Sequence, residues 1–464
     1  MTLNTHMAPA PHGPATVAEP PRQTPVMGEY DVVVLGGGPA GLLAATVAGR
    51  LGARVLLIER YGFLGGMGTA AGVSNFCGLY ANVYGENRRV VQGHATELLE
   101  RMAALDGLNP PHRILGKIDA QAYDMTAFKC AADQLLQASG VELLFHALAC
   151  GAVMTDTGRI DAVLLETKSG RRAVRARVFI DASGDADLAA WAGVPYDKGD
   201  ATGGLLYPTL MFKVGNVDAA RAQDAWRTIP GLMDEAVRSG RYRFPRRGAI
   251  VRPQKHPYEW RVNVTQLAGP DGRATDGTDV VAMSVAEQEG RRQIVDYLRF
   301  LQDQVPGFEH AYVLDIATQL GIRETRRIRG RAVVTGDDVV SCASVPDSIG
   351  VNGWPLELHV AGDVTWRWPA IPESRGYNQL PLGMIVPDAS CGVRNLLVVG
   401  RCASMTHEGQ SAARVTGSCF VMGEAAGVMA ALATRRDGDG AHVESVSTAE
   451  VQRQLQQHGA FLGD

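Results

Sequence analysis

The chain has little of what would direct a protein to nucleic acid, a membrane or an oxidising compartment. Its 464 residues carry 45 Lys and Arg against 49 Asp and Glu, a formal net charge of -4, with no run of like charges. Such a balance gives no electrostatic reason to expect nucleic acid or an anionic membrane as a partner. Cysteine is scarce and scattered. Cys77, Cys130, Cys150, Cys342, Cys391, Cys402 and Cys419 are odd in number and never stand in Cys-x-x-Cys spacing. That argues against a disulfide framework, a zinc knuckle or an iron–sulfur cluster, and no metal is expected. Reduced thiols fit a cytoplasmic protein. No uninterrupted run of about 18 apolar residues occurs, so no membrane span is expected. Residues 1–28, rich in Pro and Ala, lack an apolar core segment and a twin arginine, and read as a disordered leader instead of a secretion signal.

What remains is an ordinary globular composition, 46% hydrophobic and 20% charged, on a chain long enough for two or three domains. The stretch "GGGPAG" (36–41) follows the apolar run Val32-Val33-Val34-Leu35. Strand 30–35, a glycine turn, a helix over 39–51 opening on Pro39, and strand 54–59 make a βαβ unit. Gly36 permits the tight turn, Gly38 lets backbone N–H groups approach a pyrophosphate, and Gly41 lets the helix pack on the strand. Glu59, at the end of the second strand, is placed to accept hydrogen bonds from a ribose diol. The unit therefore predicts a dinucleotide.

The choice between NAD and FAD rests downstream. "RYGFLGGMGTAAG" after Glu59 is a second glycine-rich loop, unneeded for NAD, which a longer flavin could run beneath. "FIDASGD" (179–185) ends a strand in small residues, and the segment from "VVGR" to "MGEAAG" offers a strand end and then a helix N-terminus able to stabilise a reduced flavin. These pieces frame residues 29–200 and 385–440 as two parts of one domain. Residues 201–384 read as an inserted cap of strands, a helix and Pro- and Trp-bearing loops, and 441–464 as a polar tail.

In that order, "VVVLGGGPAG", "LGGMGT", "VFIDASGDADLAAWAG", "GIRETRRIRG" and "NLLVVGRCASMTHEGQSAARV…MGEAAG" resemble the FAD-dependent oxidoreductase family of the glutathione-reductase-like superfamily, related to fumarate reductase flavoproteins, over residues 29 to 436. The resemblance implies an α/β fold, a Rossmann-like FAD-binding domain with an inserted α+β substrate domain of antiparallel sheet plus helices. It implies FAD with its ADP half on Gly36, Gly38, Gly41 and Glu59 and its flavin half near Gly65, Gly66, Arg401, Arg414 and the start of the MGEAAG helix. Pro39, Ala40, Arg60, Met67, Ala182, Gly184, Asp185, Gly400, Gly423, Ala425 and Ala426 are further cofactor-binding candidates. Thr265-Gln266 stands where family members carry a threonine–arginine pair, a departure that bears on substrate.

The alternation in "GIRETRRIRGR" puts Arg323, Thr325, Arg327, Arg329 and Arg331 on one strand face, either to hold an anionic substrate or the FAD phosphates, or to make interdomain ion pairs on an edge strand. His407, Tyr377 and His359 are the candidates for proton transfer, with His407 favoured because it follows Arg401 on the loop near the flavin ring. His94 is the position to check for covalent flavin attachment.

The leading expectation is hydride transfer between a small organic substrate and flavin N5, as a dehydrogenase or oxidase or as an alkene reductase. A redox-neutral isomerase or hydratase, a flavin monooxygenase and an electron-transfer subunit stay open. Self-association as a homodimer is compatible with the sequence.

Overall fold

The computed structural model describes residues 16–436 and 441–464. Residues 1–15 of the expected leader lie outside the described residues. Strand β1 (Val26–Leu35) leads through the glycine turn into α1 (Pro39–Arg50) and β2 (Val55–Ile58), in the order read from the sequence. β1 starts earlier than expected because the Pro25 carbonyl accepts from the Ala173 N–H and Val26 pairs with Ala173, which draws the end of the leader into the sheet. After a one-turn helix at Met67–Ala70 come two longer helices, α2 (His94–Ala104) and α3 (Met125–Ala138). α3 begins late in the stretch expected to be helical, because 118–122 is a strand and Asp124 caps the helix by accepting from the Ala127 N–H.

The chain then lays down β3 (Glu142–Leu144), β4 (Leu148–Met154), β5 (Ile160–Glu166) and β6 (Arg172–Asp181). The sheet order is β3-β2-β1-β6-β5-β4. β3, β2, β1 and β6 are parallel, and the hairpin β5–β4 closes the edge antiparallel. Val32, Val33, Val34, Leu57 and Ile58 have no exposed surface, as expected of strands covered on both faces.

The cap has its own core. β7 (Phe212–Gly215), α4 (Ala225–Arg238), β8 (Ile250–Pro253), β9 (Trp260–Asn263), α5 (Val280–Gln304) and β10 (Tyr312–Ile316) enclose Phe212, Trp260, Val262, Ile294, Tyr297 and Phe300. Its antiparallel sheet runs β8-β9-β7-β10. This core draws on residues from Leu210 to Ile322. The later stretch, expected with the cap, sends Val334, Val339, Ile349, Leu356, Leu380 and Leu382 into the first core instead. It includes the hairpin of β11 (Leu356–Val360) and β12 (Asp363–Arg367).

β13 (Leu396–Val398) then adds parallel beside the end of β6, followed by α6 (His407–Ala413), α7 (Thr416–Thr434) and α8 (Thr448–Gln457). The expected polar tail is thus partly a helix. Ser447 and Glu450 form a capping box at its start, and Val451 and Leu455 are buried. α7 is long and apolar enough to cross a membrane, yet 89% of its apolar window is buried inside the protein.

α7 packs on α1 through glycines. A Cβ at Gly427 would lie 2.5 Å from the Ala44 carbonyl oxygen, and one at Gly423 would collide with that of Ala40. Gly231, exposed on α4, has nothing within 4 Å of its Cβ direction. Gly423→Val should therefore destabilise by about 1–3 kcal/mol through overpacking, while Gly231→Ala should stabilise by about 0.5–1 kcal/mol through helix propensity. Urea unfolding midpoints check this, and equal midpoints for the two variants would show that α1 and α7 can part without loss.

Candidate active site

A cavity of about 540 Å³ runs from the β1–α1 turn to the cap. At its first end Gly36 takes φ +101°, with its missing Cβ directed at the Ala182 carbonyl oxygen 2.5 Å away. Gly38, the N-cap of α1, has no side-chain cap beside it. A Cβ there would fill the cradle between two loops, since only the Gly66 Cα comes within 4 Å, at 3.7 Å. The uncapped α1 N-terminus, with no acidic residue in its first turn, presents orphan N–H groups and a positive partial charge. The Glu59 carboxylate is fixed by the N–H groups of Gly37 (2.8 Å) and Tyr61 (3.0 Å) and keeps lone pairs for a diol. These residues fit the ADP half of FAD.

The loop after β6 is held from below. Buried Asp181 accepts from the N–H groups of Ser183 (3.0 Å) and Ala189 (2.9 Å), and burial pushes its carboxyl up to about 6. Ala182 and Gly184 thereby line the cavity, facing Gly400 and Arg401. Arg401 is itself anchored, donating to Asp185 (2.9 Å) and Thr325 (3.1 Å).

At the other end the wall turns basic. Arg252, Arg261, Arg323 and Arg414 line the cavity with Glu357, His359, Trp354 and Trp366. Burial pushes all four guanidiniums down, Arg252 to about 10, and neighbouring guanidiniums add to this for Arg252, Arg323 and Arg414. Nε of Arg261 and Nε of Arg414 are buried with no partner among the described residues. Glu357 is the buried counter-charge. Burial alone would raise its carboxyl, yet His359, Arg414 and Trp354 together hold it at about 2. It receives hydrogen bonds from Trp354 Nε1 (2.9 Å) and His359 Nε2 (3.1 Å). Burial and the nearby Arg323 hold His359 well below 6.5, so the imidazole is neutral, with its proton on Nε2 toward Glu357.

Of the flavin-binding residues expected from the sequence, Gly36, Gly38, Pro39, Ala40, Glu59, Arg60, Gly66, Met67, Ala182, Gly184, Gly400, Arg401 and Arg414 line the cavity. Gly41, Gly65, Asp185, Gly423, Ala425 and Ala426 stand behind the wall. Gly41 and Gly423 allow close backbone approaches, Gly65 donates to the Gly37 carbonyl, Asp185 anchors Arg401, and Ala425 and Ala426 are core.

Among the proton-transfer candidates only His359 is in the wall. His407 instead pairs through Nδ1 with buried Glu324 at 2.8 Å, and Glu324 also holds Arg327 and the Leu206 N–H. Tyr377 is buried against Phe461, its ring centroids 5.6 Å apart, with its hydroxyl taking the Asp464 N–H. His94 is tied to Glu424 and lies away from the cavity. The arginine-rich stretch is regular only over Arg326–Ile328. Arg326, Arg327, Arg329 and Arg331 make ion pairs, leaving Arg323 to face the cavity.

The sequence reading missed Glu357, Arg252 and Arg261. Glu357 stands two residues before His359, which places both on one strand face. Arg261 sits between Trp260 and Val262 in a strand whose four residues are all buried.

Solved structures that the chain matches include a geranylgeranyl bacteriochlorophyll reductase-like protein from Thermoplasma acidophilum, 15% identical, covering 93% of this chain and 82% of that one with a TM-score of 0.44. The p-nitrophenol 4-monooxygenase of Pseudomonas putida is 13% identical, covering 92% and 84% with a TM-score of 0.46. A soluble pyridine nucleotide transhydrogenase of Mycobacterium tuberculosis is 34% identical over 94 residues, 20% of each chain. The match thus spans only a fifth of that curated relative. A family model described as FAD dependent oxidoreductase covers residues 31–455. With the βαβ turn, the second glycine loop and the strand end at Arg401 meeting on one cavity, the chain belongs to the FAD-dependent oxidoreductase family.

Proposed function

We propose that this flavoenzyme oxidises a small alcohol or amine that carries an anionic group of the carboxylate class. FAD, when bound, supplies the two-electron acceptor, its N5 taking a hydride. The observation behind the reading is the wall of Arg252, Arg261, Arg323 and Arg414, in which buried donors on Arg261 and Arg414 have no partner among the described residues. A buried unpaired guanidinium donor is costly, and a carboxylate that meets it in a bidentate pair relieves both desolvation and mutual repulsion. Trp354 and Trp366 supply apolar wall beside those charges.

His359 supports the oxidative direction. Its Nε2–H faces Glu357, leaving Nδ1 as a lone-pair nitrogen that can accept the proton a hydroxyl or ammonium must lose as its carbon gives up hydride. Reduction of an alkene would need a proton donor there. A histidine kept neutral by burial and by Arg323 is suited to the first role.

Two outcomes follow from these charges. Under anaerobic conditions the flavin's visible band should bleach with hydroxy or amino acids and not with their amides or esters. Arg323→Met should raise KM for the acid roughly 10- to 150-fold, the worth of a charged hydrogen bond. Equal bleaching by acid and amide would overturn the anionic assignment. His359→Gln should lower kcat by roughly 10²- to 10⁴-fold with flavin content unchanged. In the unmodified enzyme kcat/KM should hold level as pH falls through 6.5 and drop only well below it, since His359 is held under that value. A break at or above pH 6.5 would assign the proton to another group. The unfolded chain binds this proton near pH 6.5 and the folded chain does not, so His359 also makes stability decline as pH falls below about 6.5.

A further inference from the structure

Away from the cavity, Glu424 is the one acidic or basic side chain in α7, and it is buried at 3% exposure. A carboxylate in an apolar helix core needs strong partners. Two histidines face it. His94, the first residue of α2, brings Nδ1 to 2.7 Å from Glu424 Oε1, and its main-chain N–H points at the same oxygen from 3.4 Å. His458, which closes α8, brings Nδ1 to 3.9 Å from that oxygen, and this nitrogen is buried with no hydrogen-bond partner among the described residues. The two rings meet edge to face, centroids 4.6 Å apart. One donor atom from each of the three residues lies within 4.8 Å of the others.

A simple His94–Glu424 hydrogen bond would account for those two residues and leave the buried His458 nitrogen unexplained. The geometry points to a cation site: we propose that His94, Glu424 and His458 bind a divalent metal of the zinc class. Zinc takes imidazole nitrogen and carboxylate oxygen at about 2.0–2.1 Å in tetrahedral array, which sets donors about 3.3 Å apart. The 2.7 and 3.9 Å separations from Glu424 bracket that value, and with all three donors within 4.8 Å of one another, side-chain shifts of about an ångström would complete the site. Two imidazoles with one carboxylate favour zinc over magnesium or calcium, which prefer all-oxygen shells. The outer shell suits it too. His458 Nε2 stands 3.0 Å from the Gln454 side-chain amide, and with the amide oxygen turned inward it would accept Nε2–H and free Nδ1 for the metal.

None of the three residues lines the flavin cavity, so the metal takes no part in electron transfer. It joins the start of α2, the middle of α7 and the end of α8. The sequence reading excluded metals from cysteine spacing, and ligands at 94, 424 and 458 leave no local motif.

The test uses tag-free, full-length flavoprotein stripped with chelator and dialysed against micromolar free zinc. One equivalent of zinc per chain is expected by elemental analysis, together with a rise in the thermal midpoint. His458→Ala should weaken zinc binding at least 10-fold and abolish that rise while keeping its flavin spectrum. His310→Ala, which removes an exposed histidine elsewhere, should behave as the parent. If His458→Ala loses its flavin, His458→Gln, which retains the bulk, serves instead. Substoichiometric zinc in the parent protein, or undiminished binding in the folded His458 variant, overturns the site.

Discussion

The contact between α1 and α7 is the constraint on which the rest of the structure depends. It is a backbone approach, with Gly423 and Gly427 set against the Ala40 and Ala44 carbonyls. Each glycine inside a helix gives up about 1 kcal/mol of propensity relative to alanine, and the close packing of two buried helices more than offsets it. Because the helices touch there, the N-terminus of α1 and the segment from Arg401 to Arg414 reach one cavity although they lie at opposite ends of the chain. Neither segment alone encloses that cavity. The glycine contact brings both to it.

A second principle is the division of charge. Most acidic side chains near the cavity are committed to structural partners: Asp185 to Arg401, Asp187 to Arg326, and Glu324 to Arg327 and His407. What is left over in the wall is mostly cationic: Arg252 and Arg261 of the cap, with Arg323 and Arg414, share the buried carboxylate of Glu357. Arg246 belongs to the same group one layer back, fully buried, donating to Asn263 and the Gly248 carbonyl. A protein selected for stability alone would place further carboxylates beside Glu357 among these guanidiniums. Their incomplete pairing is a local violation of the rule that buried polar groups are satisfied, and such violations collect where a ligand is to complete the set.

The βαβ unit was legible in the sequence because its signals are local. Glycine spacing, Pro39 and two apolar strands all fall within thirty residues, and the parallel sheet follows from them. The proton-transfer group was harder to find, because a histidine's position along the chain does not say what lies opposite it. His407, expected on a loop, opens α6, and Glu324, distant in sequence and near in space, holds its ring outside the cavity wall. Tyr377 was lost to Phe461 and the C-terminus in the same way. The packing of the stretch after the cap core was hidden for a related reason. Residues after 330 carry loops and strands like those of the cap, and only their burial against α7 and its neighbours assigns them to the first core.

The departure at Thr265-Gln266 shows how such distant coupling reaches the site. Neither residue touches the cavity. Thr265 binds both the N–H and the carbonyl of Leu210, fixing the strand that begins the cap core. Gln266 reaches the turn of the β11–β12 hairpin, donating to the Val360 carbonyl (2.8 Å) and accepting from the Gly362 N–H (2.8 Å). That hairpin carries Glu357 and His359, while Leu356 at its base is rooted in the first core. The hairpin is thus suspended between the two cores, and Gln266 is its attachment to the cap. An arginine at 266 would have no acceptor role to offer the Gly362 N–H. Gln266 is thus connected to His359 only through the hairpin turn, one step removed from the cavity.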